Sequence, residues 1–348
     1  MENTAIGFPP TTIAVFVALA VIALAIDLFT HKSDKPVSLT NAAVWSVFWV
    51  LISLAFAGYL YYAHGPSVAS LFVTGYALEK VLSVDNLFVF MAIFAWFKIP
   101  DALRHRVLYW GIIGAIVFRL IFVAIGTGLL AFGPWVEVLF AVVVAWTAIM
   151  MLRSKEEDEE EDYSQHIAYR FAKKLFPVWP KLHGHNFFVS RTELEKEITK
   201  PQNKGMTLVG KGALFATPLF LCVVVVEVSD ILFAFDSVPA VIAVSREPLI
   251  VYSAMMFAIL GLRTMYFVLE ALKRYLVHLE KSVIALLFFI AGKLALNATD
   301  HLFGHGISID PNTSLIVVLV VLAIGIVASI IFPGKDEEQS DVKNDTNA

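Results

Sequence analysis

Residues 79–90 read Glu79-Lys80-Val81-Leu82-Ser83-Val84-Asp85-Asn86-Leu87-Phe88-Val89-Phe90, and residues 227–239 read Glu227-Val228-Ser229-Asp230-Ile231-Leu232-Phe233-Ala234-Phe235-Asp236-Ser237-Val238-Pro239. Both stretches set carboxylates inside long apolar segments. An acid at the centre of a membrane helix costs about 2.5–3.5 kcal/mol on insertion scales, so Glu79, Asp85, Glu227, Asp230 and Asp236 together oppose insertion by roughly 10 kcal/mol or more before any pairing. Something must offset that cost, and the residue types favour a bound cation.

The surroundings are those of a membrane protein. Of 348 residues, 58% are hydrophobic and 16% charged, where a soluble domain has about a quarter charged. Mean hydropathy is +0.75. The net charge of −4 is mild, and no basic cluster suggests nucleic acid. Cys222 is the single cysteine, so disulfides within one chain, thiol redox pairs and zinc-thiolate sites are excluded. Residues 1–10 carry Glu2 and no Lys or Arg, so the positive start of a cleavable signal peptide is missing.

Nine apolar stretches are long enough to span a bilayer, at roughly 11–30, 42–62, 68–97, 107–130, 134–152, 212–244, 248–270, 282–298 and 314–332. The expected architecture is all-α, with transmembrane helices 1–5 in residues 1–152, a cytoplasmic connection at 153–211, helices 6–9 in 212–334 and a disordered cytoplasmic tail at 335–348. Lys32, Lys35, Lys98, Arg104, Arg106, Arg153, Lys155, Lys273, Arg274, Lys281 and Lys335 fall in alternate connections, and the others hold only Arg246. The positive-inside rule then puts the N-terminus outside and the C-terminus in the cytoplasm. Tyr59, Tyr61, Tyr62, Trp96, Trp110 and Trp135 cluster near helix ends as interfacial anchors.

The connection opens with Glu156-Glu157-Asp158-Glu159-Glu160-Glu161-Asp162, a run of like charge that is ordinarily solvated and disordered. His166–Phe176 has helical spacing with Lys173 and Lys174 on its polar side, as a helix lying on a membrane surface would. His183 and His185 form an incomplete ligand set and read as surface loop.

The two acidic stretches overlay with Asp85 on Asp230 and Leu-Phe-x-Phe after each. Nearly the same offset places Arg119 of helix 4 on Arg263 of helix 7. Helices 3–5 thus look duplicated as 6–8, and the copies, three helices apart, have opposite orientation. Inverted repeats of this kind put a substrate site at the membrane midplane between them.

On helical geometry Glu79, Ser83 and Asn86 share a face, as do Glu227, Asp230 and Ser237, while Asp85 and Asp236 point aside. Pro239 leaves the Phe235 carbonyl without its donor, so a bend or break is expected there. Carboxylates, an amide and hydroxyls make a hard, oxygen-rich site suited to Mn²⁺, Mg²⁺ or Ca²⁺. Met91 lies near and reads as packing. Pairing of the acids with Lys80, Arg119, Arg263 and Lys293 is the rival way to offset their cost. Protonation is another, and acids that release protons as metal binds would couple metal movement to a proton gradient.

The motifs Glu79-Lys80-x-Leu82-Ser83-x-Asp85-Asn86-x-Phe88-Val89-Phe90, Ala216-Thr217-Pro218, Glu227-x-x-Asp230-x-x-Phe233-Ala234-x-Asp236-Ser237-x-Pro239-Ala240 and Phe257-Ala258-Ile259-Leu260-Gly261-Leu262-Arg263 closely resemble those of the TerC/Alx family of integral membrane proteins. Opening Gly7-Phe8-Pro9-Pro10 and length are most similar to its members from tellurite-resistance operons. The resemblance implies a place in the wider LysE-type transporter group, where relatives are implicated in manganese efflux. It also implies a bacterial inner membrane and a link to tellurite resistance. The family's acidic positions fall on Glu79, Asp85, Asn86, Glu227, Asp230 and Asp236, with Ser83 and Ser237 beside them. The connection, with its acidic run and Arg191–Lys211, looks longer than in Alx-like members.

The expected function is export of a divalent cation, manganese first, in exchange for protons, with no permanently bound cofactor. The partners are the lipid bilayer, the cation and protons. The alternative is a membrane scaffold of a tellurite-resistance complex, with cytoplasmic proteins docked on 153–211. An enzyme is not expected, because reduction of tellurite calls for thiols or a redox cofactor, and no Gly-rich phosphate loop for ATP is present. Tellurite is itself an oxyanion, for which an acidic pore is a poor route.

Overall fold

The computed structural model describes residues 7–30, 38–153, 167–199, 212–272, 279–304 and 309–332, without the side chains of Leu28, Phe29, Thr30, Asp85, Ile167, Ala168, Phe171, Leu175, Asp236, Leu279 and Glu280. The long helices are α1 (Pro10–Thr30), α2 (Leu39–His64), α3 (Pro66–Trp96), α4 (Asp101–Leu129), α5 (Pro134–Arg153), α8 (Pro218–Val244), α11 (Leu279–Phe303) and α12 (Pro311–Ile331). α9 (Pro248–Ile259) and α10 (Leu262–Leu272) form a pair bent by 54°. Between α5 and α8 lie α6 (Ile167–Leu175), β1 (Phe188–Ser190), α7 (Arg191–Ile198) and β2 (Leu214–Ala216).

Local chemistry sets the helix starts. Pro66, Pro218, Pro248 and Pro311 open α3, α8, α9 and α12, where the missing N–H costs nothing. Ser38 caps α2 by accepting from Asn41 N, and Asp310 caps α12 by accepting from the amides of Asn312 and Thr313. Ser190 and Glu193 close a reciprocal capping box on α7.

Among the described residues seven helices are long and apolar enough to cross a membrane, and the α9–α10 pair makes eight. α3 falls outside that set because Glu79, Lys80 and Asp85 interrupt its apolar run. It is nonetheless central, packing against α2, α8, α9 and α12. Outward faces are apolar: Val21, Val44, Leu51, Trp146, Ile324 and Ile330 are all exposed, as lipid contact demands. Tyr62 and Trp135 are exposed at helix ends, where interfacial anchors belong.

The most extensive helix–helix contacts are α5–α11, α4–α8 and α3–α9. Small residues permit these approaches: Gly75 of α3 faces Ala254 of α9, and Gly111 and Gly126 of α4 face Val226, Val238 and Ile242 of α8.

Three features differ from the sequence reading. Helix 6 begins at Pro218 rather than 212, because Leu214–Ala216 is strand β2, antiparallel to β1. α8 continues through Pro239 without a break. The break falls instead in helix 7, at Leu260-Gly261. The connection is also partly ordered: α6 forms where helical spacing predicts it, and Trp179, Val189, Leu194 and Phe215 form a small core beside β1 and β2. The acidic run 156–162 and the tail 335–348 lie outside the described residues.

Candidate cation site

α3, α4 and α8 converge on Arg119. It is 2% exposed, and Glu79 at 0% and Asp230 at 3% lie against it. Arg119 Nη1 pairs with Glu79, and Nη2 donates to Asp230 Oδ1 at 3.2 Å. One guanidinium from α4 thus clamps an acid of α3 to an acid of α8. Glu227, one turn before Asp230, fits where α4 has only Gly114; a Cβ at that position would overlap its carboxylate. Glu227 Oε2, Asp230 Oδ2 and Ser83 Oγ are buried without a hydrogen-bond partner among the described residues. Glu227 and Asp230 are close enough for their charges to act on each other.

A cavity of about 240 Å³, which none of the clamp residues lines, lies between α3, α5 and α8; its lining includes Asn86 of α3, Thr147 and Met151 of α5, and Leu232, Phe235 and Ser237 of α8. The backbones of Asp85 and Asp236 sit next to Asn86 and Ser237, and their side chains are outside the described set. Among the described residues no group of three or more His, Cys, Asp or Glu stands ready to hold a metal ion. Met91 packs in the apolar core of this half, as expected.

The other bases go elsewhere. Lys80 Nζ donates to the carbonyls of Ala258 and Leu260, each at 3.0 Å. Arg263 donates to the Asp27 carbonyl and faces its Oδ2 at 3.4 Å. Lys293 donates to Ser314 Oγ at 2.9 Å, between α11 and α12. Salt bridging thus neutralises part of the acid cluster through Arg119, while Lys80, Arg263 and Lys293 meet none of its described acids.

Sequence reasoning missed Asp27 and Glu137. Asp27 is 0% exposed and pairs across the fold with Arg263. Glu137 pairs with Arg246 at 2.5 Å and faces His301 at 3.6 Å, joining the start of α5, the α8–α9 connection and the end of α11. Both acids lie inside apolar runs, which was the available signal. At the start of α12, hydrogen bonds from the Thr313 hydroxyl and amide hold the exposed Asp310 carboxyl below the usual carboxylate range. His183 and His185 flank a turn where the His185 carbonyl accepts from Arg106 Nη1 at 2.5 Å.

These features define a multi-pass helical membrane protein with a buried carboxylate–guanidinium cluster at its helical centre. The family described as "Integral membrane protein TerC family" matches residues 64–337, and the chain belongs to it. It is 69% identical over 343 residues to the "Tellurium resistance protein TerC" of Serratia marcescens, covering 97% of this chain and 99% of that one. The protein of the same description from Alcaligenes sp is 68% identical, covering 98% and 99%. The "Putative membrane-bound redox modulator Alx" of Photorhabdus laumondii is 36% identical, covering 88% and 92%. No solved structure matches.

Proposed function

We propose that the chain exports a divalent metal cation, manganese first, in exchange for protons. One observation carries the reading. Glu79 and Asp230, both buried, pair with Arg119, and the half-buried Glu227 lies one turn from Asp230, so the three carboxylates and one guanidinium, fully ionised, hold two excess negative charges. One divalent cation or two protons would balance them, which is the stoichiometric logic of an exchanger. Asn86, which lines the cavity, and the acidic positions Asp85 and Asp236 are the remaining donors of this reading, with Ser83 and Ser237 in reserve. Arg119 must let go of at least one acid for a cation to enter between them.

The packing supports an inverted repeat. Exchanging α3 with α8, α4 with α9 and α5 with α11 turns the α3–α9 pair into the α8–α4 pair and returns α5–α11 onto itself. The alternating Lys and Arg of the connections support an inner-membrane topology with a cytoplasmic C-terminus. The names of the Serratia and Alcaligenes relatives support a part in tellurium resistance, reached here through metal homeostasis.

The test is ion flux in proteoliposomes loaded with Mn²⁺ under an imposed pH gradient, comparing wild type with Asp230→Asn. Manganese efflux that needs Asp230 and carries protons inward is expected. Absence of flux from folded wild-type protein sinks the reading.

A second reading is a scaffold with partners on 153–211, favoured by the ordered unit that α6, β1 and α7 of this connection form with β2 just after it. Proteins of a tellurite-resistance complex would dock there. Replacing the exposed Glu195 and Lys196 of α7 by Ala should then abolish partner recovery and spare manganese flux.

A further inference from the structure

The break between α9 and α10 holds a second polar site, distinct from the acid cluster. Gly261 makes the turn at φ +75°, which costs other residues roughly 1–2 kcal/mol. The Trp49 indole occupies the place a Cβ would take. In an unbroken helix the Ala258 carbonyl would accept from Leu262 N–H. Here the Ala258 and Leu260 carbonyls both turn to Lys80 Nζ, at 3.0 Å each. The C-terminal end of α9 adds partial negative charge at the same point. Asp27 of α1 supplies a full one: it is wholly buried, its charge acts on both Arg263 and Lys80, and its Oδ2 lies 3.4 Å from Arg263 Nη2.

We propose that this is an alkali-cation cage whose occupant is the tethered ammonium of Lys80. Carbonyls released at a helix break are what sodium takes in discontinuous transporter helices. A primary ammonium carries the same single charge and, at 3.0 Å, meets the carbonyls at a distance nearer potassium's than sodium's. Supplied by α3, it holds the broken helix without any free ion. The adjacent Glu79 points to Arg119, so one turn of α3 serves both the acid cluster and the break. Removing the amine while keeping the oxygens creates a sodium or potassium site. The proposal is independent of divalent-cation export.

Thermal unfolding of the purified full chain in detergent tests it, in sodium, potassium and N-methyl-D-glucamine chloride at equal ionic strength. Wild type, Lys80→Ala, Lys80→Gln and Asp27→Asn/Lys80→Ala are compared, with direct binding of radioactive sodium. Wild type should show the same Tm in all three salts and bind no sodium at this site. Both Lys80 variants should lose stability in N-methyl-D-glucamine and regain it saturably with sodium or potassium, by roughly 2–5 °C. The double variant should lose the rescue. Single variants equally stable in all three salts, or a double variant rescued as well as the single, would overturn the proposal. So would failure of both single variants to fold in any salt, since the cage would then accept no free cation.

Discussion

Replacing Arg119 by Met removes the one positive charge between Glu79 and Asp230 while keeping a side chain long enough to fill most of the space. All three residues are at most 3% exposed, so water cannot take over the lost role. Breaking a buried pair by removing one partner costs about 3–5 kcal/mol, and here two acids lose their partner at once. The expected fall in Tm is roughly 5–15 °C in detergent at neutral pH. Adding Glu79→Gln to Arg119→Met should recover a large part of that fall, because one of the stranded charges is gone. Manganese should stabilise Arg119→Met more than wild type, since the variant's cluster is more negative. Arg191→Met is the control. Its partner Glu195 is 3.2 Å away but the side chains are 41% and 57% exposed, and such a surface pair contributes about 0–1 kcal/mol. The reasoning is refuted if Arg119→Met costs no more than Arg191→Met, or if Glu79→Gln makes it worse.

Gly114→Ala sets a Cβ on the Glu227 carboxylate and should cost about 1–3 kcal/mol and reduce manganese flux, whereas Gly58→Ala, with open space around it, should leave flux unchanged and raise Tm slightly. Asp310 has a folded pKa below its unfolded value, so its cap stabilises α12 above the ordinary carboxylate range and is lost as pH falls through the folded pKa. The Tm difference between wild type and Asp310→Ala should accordingly be constant near neutrality and vanish in acid. Cys222 is fully buried, so a maleimide should label it only after unfolding; rapid labelling of the folded chain would contradict the packing of α8.

The membrane helices were legible because apolar length and proline starts are local properties. The predicted span 134–152 and α5, or 11–30 and α1, differ by a residue at an end. The helix break was not legible. Pro239 is the stronger breaker on paper, yet a membrane helix tolerates the loss of one backbone hydrogen bond, and α8 runs on. Gly261 ends α9 because Trp49, from α2, fills the space beside it and Lys80, from α3, satisfies the carbonyls that the break frees. Neither partner is near in sequence. Leu214-Phe215-Ala216 read as helix because so short an apolar run has no period of its own, and only Phe188-Val189-Ser190 makes it a strand. At the site, the acids and the four bases were visible as candidates. Which base meets which acid was not, since Arg263 finds Asp27 across 236 residues and, among the described residues, Arg119 joins the two acidic stretches.

The β1–β2 pair clips the chain to itself. Arg191 N donates to the Ala213 carbonyl beside the ladder, and the Thr217 amide and hydroxyl reach the Phe187 carbonyl, so the two ends of the intervening stretch are stitched together at the head of α8. A cut between Ile198 and Gly212 therefore severs the covalent link without separating what it links. The gene could be divided there and expressed as two fragments, one carrying α1–α7 and the other β2–α12, each bringing one half of the acid cluster. Reassembly of the halves in the bilayer would offer a route to labelling α3–α5 without α8–α11.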